Sequence, residues 1–181
     1  METLSEEPKL PEFYPKTPRW NDSVVITEKI DGTNAGIYRS RLGTLHCCSR
    51  NRWLTPEKDN YGFCRWVTAN AEDLLVELPI GMHFGEWWGH GIQRHYDMKE
   101  KVFSLFNTDT ILDQSDTQLV RKVPVIVRSN GELTVSEAIT RAVGSIGLSG
   151  SCAANGFSRP EGLIVDHHGK RFKIIINAGP K

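Results

Sequence analysis

Excess charge of either sign is missing from this sequence: 22 Lys+Arg face 22 Asp+Glu across 181 residues. That balance argues against a histone-like or tail-driven nucleic-acid binder, whose affinity comes from a large uniform positive field. Cysteine is sparse. Cys47, Cys48, Cys64 and Cys152 form no CxxC pair, and adjacent Cys47 and Cys48 do not suit a disulfide framework, so a cytoplasmic protein is expected. No apolar run approaches the roughly 18 residues that span a bilayer. The N-terminus, METLSEEPKL, is acidic and lacks an apolar core, so neither secretion nor membrane contact is expected. Repeats and low-complexity tracts are also absent. What remains is an ordinary globular composition, 39% hydrophobic with 16 glycines, in a length that suits one domain.

Neutrality is a cancellation of blocks. Residues 1–38 balance to −3, 39–70 to +4, 71–120 to −6 and 121–181 to +5. Short β-branched and apolar runs bounded by turn residues predict strands over Val24–Ile30, Asn34–Tyr38, Thr44–Ser49, Met82–Trp88, Val102–Asn107, Val123–Arg128, Gly162–His167 and Arg171–Ile176. Gly32-Thr33-Asn34, Leu42-Gly43 and His168-Gly169-Lys170 are the expected turns of antiparallel hairpins. Helical stripes mark Phe63–Leu78 and Thr134–Ile146, the second opened by Thr-Val-Ser-Glu, a capping-box pattern. Together these predict an α+β domain of antiparallel β-sheets flanked by helices over residues 22–181, preceded by an N-terminal arm over residues 1–21.

Six segments carry residues suited to chemistry. In Glu28-Lys29-Ile30-Asp31-Gly32, a lysine ends an apolar strand, where desolvation and neighbouring cations would favour the neutral, nucleophilic amine. Period-2 spacing predicts Asp31 on the same strand face as Lys29, and Gly32 lets the backbone pass close to a ligand. Ser49-Arg50-Asn51-Arg52 offers an anion-binding rim. Phe84-Gly85-Glu86-Trp87-Trp88-Gly89 embeds a carboxylate suited to accepting ribose hydroxyls, and Phe103-Ser104-Leu105-Phe106-Asn107 offers an aromatic that can stack on a base. Glu161-Gly162-Leu163-Ile164-Val165 puts an acid at the mouth of a buried strand, able to bind a divalent metal. Lys170-Arg171-Phe172-Lys173 alternates two bases onto one face, where they can hold phosphates. Taken singly, each also fits a strand edge, a core aromatic or a solvated surface.

The order K-x-D-G, S-R-N, F-G-E, aromatic strand, E-G-hydrophobic-hydrophobic, basic strand resembles the covalent lysine nucleotidyltransferases, whose catalytic domain is ATP-grasp-like. Glu28 before the lysine, the S-R-N triplet, and Gly91-Ile92-Gln93 followed by Tyr96 make it most similar to the phage-type ATP-dependent RNA ligase family, over about Val24 to Ile176. The resemblance implies three-step sealing through a lysyl-AMP. Lys29 takes AMP from ATP, AMP passes to a 5′-phosphate end, and a 3′-hydroxyl displaces it to form a phosphodiester. ATP and Mg2+ (or Mn2+) are the implied cofactors, and RNA with 5′-phosphate and 3′-hydroxyl ends the implied partner, with DNA as the alternative.

By position, the resemblance gives catalytic roles to Lys29, Lys173, Arg171 and Arg50. It places Glu28 at the adenine edge, Glu86 at the ribose, Phe106 stacked on adenine, and Ile30, Asp31, Gly32, Asn34, Glu161 and Lys173 around the nucleotide, with Glu161 and Asp31 as metal ligands. Three residues depart from the family's usual pattern: Asn107 replaces an Asp, Asp166 a Lys, and Arg171 a Lys. The first two touch the ligation steps, leaving adenylylation the more secure expectation. Few residues follow Ile176, so no C-terminal OB or helical domain is expected, and a separate domain or subunit would then grip the nucleic acid. The same residues leave open a DNA ligase or capping-type enzyme, and a nucleotide- or nucleic-acid-end-binding module that has lost sealing. A phage origin would place the protein in host cytoplasm.

Overall fold

The structure is a computed structural model and describes residues 20–110, 112 and 118–178. Its elements, in chain order, are β1 (Ser23–Lys29), β2 (Thr33–Arg39), β3 (Leu45–Ser49), α1 (Phe63–Ala69), α2 (Ala71–Glu77), β4 (Gly81–Gly89), β5 (Lys101–Leu105), β6 (Val120–Lys122), β7 (Val125–Asn130), α3 (Val135–Ser149), β8 (Gly162–His167) and β9 (Lys170–Ile175). The predicted arm, residues 1–21, lies outside the described residues except for Trp20 and Asn21. Among the described residues no helix is long and apolar enough to cross a membrane.

Two sheets form, with orders β7-β1-β8-β9 and β3-β2-β4-β5-β6, antiparallel except for the β5–β6 pair. Strand periodicity decides what each face does. In the first sheet Val24, Ile26, Leu163 and Val165 pack against Ala138, Ala142 and Ile146 of α3. The capping box predicted for that helix is present: Glu137 N donates to Thr134 Oγ1, and Thr134 N donates to Glu137 Oε2. Such a cap contributes about 1 kcal/mol. In the second sheet Ala35, Ile37, Trp87, Phe103 and Leu105 pack on Phe63, Val67 and Leu74 of α1 and α2. A third cluster joins Trp88 and Val102 of the second sheet to Ile30, which follows β1, and to Tyr96, Val123 and Ala154 of the connecting segments.

Three expectations are corrected. The single helix Phe63–Leu78 is two, broken at Asn70, whose side-chain amide donates to the Trp66 carbonyl that its own backbone N–H also reaches. That local competition ends the first helix. Gly32-Thr33-Asn34 does not close a hairpin, because β1 and β2 belong to different sheets and the chain crosses between them there. The strand expected from Val123 begins two residues later, as β7 at Val125: Val123 N–H donates to the Leu105 carbonyl of the second sheet, and Pro124, with no N–H to donate, marks the passage to the first. The other two turns hold. At His168-Gly169 both φ angles are positive, 52° and 74°, as a two-residue hairpin turn requires.

Candidate active site

The uncovered face of the first sheet looks onto the second. Register places Val25, Thr27 and Lys29 of β1 beside Asp166, Ile164 and Gly162 of β8, and Ile164 beside Lys173 of β9, all on the side away from α3. Across from them stand Asn34 of β2 and Glu86 of β4, which are paired neighbours. Between the sheets opens a cavity of about 420 Å3, lined by Lys29, Ile30, Asn34, Arg50, Glu86 and Phe106 among others. Residues more than 130 positions apart in sequence thus meet at one site.

Lys29 Nζ donates to Glu161 Oε2 at 2.5 Å, and both side chains are largely buried. Glu161 stands immediately before β8, where its carbonyl also accepts from Ile176 and Asn177 N–H, so the strand ends that carry the pair are tied together. The nearest charged partner of the lysine is therefore an acid, not the cations expected from sequence. Glu86 accepts from Gly32 N–H at 3.1 Å. Burial pushes its carboxyl up to about 7, opposed by that hydrogen bond and by Lys29 and reinforced by Glu161 and Asp31. Gly32 has no room for a side chain, since a Cβ would lie 2.5 Å from the Trp87 carbonyl oxygen and 2.7 Å from Trp88 Cβ. Close backbone approach, rather than a positive φ, demands glycine here.

Two residues expected at the nucleotide have their carboxylates engaged elsewhere in this structure. Glu28 contributes to the cavity wall, but its carboxylate points to the α3 side, as the residue preceding Lys29 on a strand must. There it accepts from Ser151 Oγ at 2.6 Å, Cys152 N–H at 2.7 Å and Ala153 N–H at 2.9 Å, so its carboxylate is engaged with the 151–153 loop rather than aimed at an adenine edge in the cavity. Burial raises its carboxyl above the ordinary range, and the three hydrogen bonds oppose the rise. Asp31 does not share the Lys29 face, because β1 ends at Lys29 and the period-2 argument lapses with it. Its carboxylate instead accepts from Arg94 Nε at 2.7 Å, and its N–H donates to Tyr96 Oη at 2.8 Å. Already neutralised by a guanidinium, Asp31 is not a metal ligand in this arrangement.

The basic residues divide. Arg50 lines the cavity from the loop after β3 and has no ion pair among the described residues. Arg171 also lines it, but its Nε donates to Asp166 Oδ2 at 2.9 Å across the β8–β9 hairpin, so its charge is shared with an acid. Lys173 is exposed on the cavity-facing side, beyond the lining residues. Arg94 was not legible as a site residue. It clamps Asp31, the Arg159 carbonyl at 2.9 Å and the Asn177 carbonyl at 3.1 Å, bracing the lysine turn from the far side. Arg128 likewise holds the rim, donating to Thr108 Oγ1 and Asp109 Oδ1 on the loop that carries Phe106.

A divalent metal fits in one form only. Among the described residues no three His, Cys, Asp or Glu side chains converge. Glu161 and Glu86 both flank Lys29, which suits a cation held by one or two carboxylates and completed by phosphate oxygens and water.

No curated protein sequence matches this chain. Solved structures do. Naegleria gruberi RNA ligase with PPi is 20% identical with a TM-score of 0.53, covering 92% of this chain and 57% of that one. A glutamate-to-alanine variant of the same ligase with ATP and Mn is 21% identical with a TM-score of 0.54, covering 93% and 58%. A lysine-to-methionine variant with AMP and Mn is 20% identical with a TM-score of 0.54, covering 92% and 57%. At such identities the likeness establishes the shared fold, and the chain spans a little over half the length of those proteins. The family model described as RNA ligase matches residues 22–175, which hold both sheets and every residue of the cavity, and the chain belongs to the RNA ligase family.

Proposed function

We propose that this chain is the adenylyltransferase part of an ATP-dependent RNA ligase, with residues 22–181 as that domain and residues 1–21 as an arm. One observation carries the reading: Lys29 stands 2.5 Å from Glu161 in a cavity whose facing wall bears Glu86 and Phe106. A nucleophilic amine, an acid able to share a metal, a ribose acceptor and a stacking ring are thereby gathered around a space that fits a nucleotide.

In the first step Lys29 Nζ attacks the α-phosphorus of ATP. The attacking amine is neutral, its ammonium proton having passed to water; the N–P bond forms as the P–O bond to pyrophosphate breaks, and the new N–P nitrogen sheds its further proton to water. Attack first requires Lys29 to leave the Glu161 carboxylate, 2.5 Å away. A divalent ion, proposed as Mg2+ or Mn2+, would supply charge neutralisation on the phosphates while engaging Glu161. Glu86 accepts the ribose hydroxyls, Phe106 stacks on the base, Asn34 and Ile30 complete the wall, and Arg50 steadies the phosphates. AMP then moves to an RNA 5′-phosphate, restoring the lysine, and a 3′-hydroxyl expels AMP as the phosphodiester forms. A further domain or subunit that grips RNA, and action in the cytoplasm, belong to the same proposal.

Labelled ATP with Mg2+ should give a covalent protein–AMP adduct that Lys29→Ala abolishes. No adduct from the parent chain would overturn the assignment. A module that binds nucleotide or ends without sealing is the second reading, favoured by the Asp166–Arg171 pair, which withholds charge from the cavity. Joining of 5′-phosphate RNA to a 3′-hydroxyl end by the isolated chain would exclude it.

A further inference from the structure

Beyond the cavity, the same face of the second sheet continues into solvent as an aromatic surface that the nucleotide chemistry does not use. Pairing sets it out in rows. His46, Tyr38 and Met82 lie side by side across β3, β2 and β4, and the next row is Cys48, Gly36 and Phe84. Phe84 lies over Gly36, where a Cβ would meet its ring at 3.0 Å, so one ring face covers the glycine while the residue remains 50% exposed. Trp53 is tethered to the edge by its bridge to Cys48 and is 60% exposed. Its ring stands 6.2 Å from His46, whose ring stands 6.3 Å from Tyr38. Among the described residues nothing covers these rings, although the opposite face of the sheet is buried under α1 and α2.

The surface is continuous with the cavity at two points. Phe106, which lines the cavity, donates its N–H to the Phe84 carbonyl and so extends the Phe84 row. Arg50, also lining the cavity, stands three residues before Trp53, and Arg52 between them is held by the Lys58 and Asp59 carbonyls. The charge is complementary to a polynucleotide: no acid occurs in the two exposed rows, and residues 39–70, which include β3 and its flanks, carry six bases against two acids.

We infer that this face is a stacking platform for unpaired bases of the RNA strand whose end enters the cavity, with Trp53, Tyr38 and Phe84 as the principal rings. The inference rests on the ligase reading for the identity of the cavity. Bases with a free π-face stack on such rings irrespective of sequence, whereas bases inside a duplex already stack on one another. The platform therefore selects a single-stranded end over a nick within a helix.

Fluorescence anisotropy with a labelled, 5′-phosphorylated single-stranded RNA tests it on the full chain. Trp53→Leu and Tyr38→Leu keep apolar bulk without a π-face and should each weaken binding about tenfold, within the usual worth of one base–aromatic stack. Trp53→Phe should bind nearly as the parent does. The slope of log affinity against log salt should stay unchanged, because no phosphate contact is lost. Lysyl-AMP formation should be unaffected in all three, which also reports an intact cavity. Parental affinity in both leucine variants would overturn the platform, as would an equal loss in Trp53→Phe. A dimer in sedimentation that Trp53→Leu dissolves would overturn it too, by assigning the face to a second copy of the chain. If the parent forms no adduct while the leucine variants still lose RNA affinity, the ligase reading fails and the platform stands. The converse result spares the ligase reading alone.

Discussion

Glu86→Gln isolates the most perturbed acid of the cavity. Burial lifts the Glu86 carboxyl from the ordinary 4.5 to about 7. Between those two values the folded protein holds a proton that the unfolded chain has released, so stability falls as pH rises from 4.5 through 7. At about 1.4 kcal/mol for each pH unit, the full swing is about 3 kcal/mol. Glutamine keeps the shape and an oxygen for the Gly32 N–H while removing the titration. Urea unfolding of parent and variant at pH 5, 6, 7 and 8 should show the variant gaining on the parent as pH rises, with the difference flattening above pH 7. The same site links to ligand: a ribose that donates to Glu86 favours the ionised form, so ATP binding should release protons and tighten between pH 6 and 7. Calorimetry in buffers of different ionisation enthalpy reads that release directly. A stability difference independent of pH would refute the buried-carboxyl argument, and proton uptake on binding would refute the ribose assignment.

Three further outcomes follow from the geometry. Glu161→Gln removes the charge facing Lys29. Adenylylation should slow by about a hundredfold or more and need higher Mg2+, as read by single-turnover adduct formation. Gly32→Ala forces a Cβ against the Trp87 carbonyl and Trp88. The backbone there cannot yield, so denaturation should show a loss of about 2 kcal/mol or more. Arg94→Met leaves Asp31 and two carbonyls without their donor. Stability should drop by about 2 kcal/mol and adduct formation should slow while the KM for ATP changes little, whereas Arg94→Lys should restore only part, because an ammonium cannot reproduce the three-way fork.

Much of the fold was readable because its signals are local. Short apolar and β-branched runs bounded by turn residues marked the strands at Gly162–His167 and Met82–Trp88, and Thr134 with Glu137 marked the start of α3. The break at Asn70 was missed because the helical stripe runs on through it, while the amide's bond to Trp66 is a choice the side chain makes in the folded helix. The crossing at Gly32 was read as a hairpin because a turn signal does not say which sheet comes next. Arg94 gave no warning: it lies 63 residues from Asp31, between Gln93 and Tyr96, in a loop whose neighbours marked the family but not a clamp.

By itself, the sequence determined which residue types occur and in what order, and therefore the family, and it is the source of the proposal that Lys29 is the nucleophile with Glu86 and Phe106 at the nucleotide. It also determined strand alternation, since neighbours on an extended chain point opposite ways whatever surrounds them. Only the tertiary structure decided which of those residues are free to act. Glu28 is consumed by the 151–153 loop, Asp31 by Arg94 and much of Arg171 by Asp166, whereas Arg50 remains without an ion pair among the described residues. The physical reason is that hydrogen bonds and ion pairs depend on distances between atoms far apart in the chain, and those distances exist only once both sheets have packed.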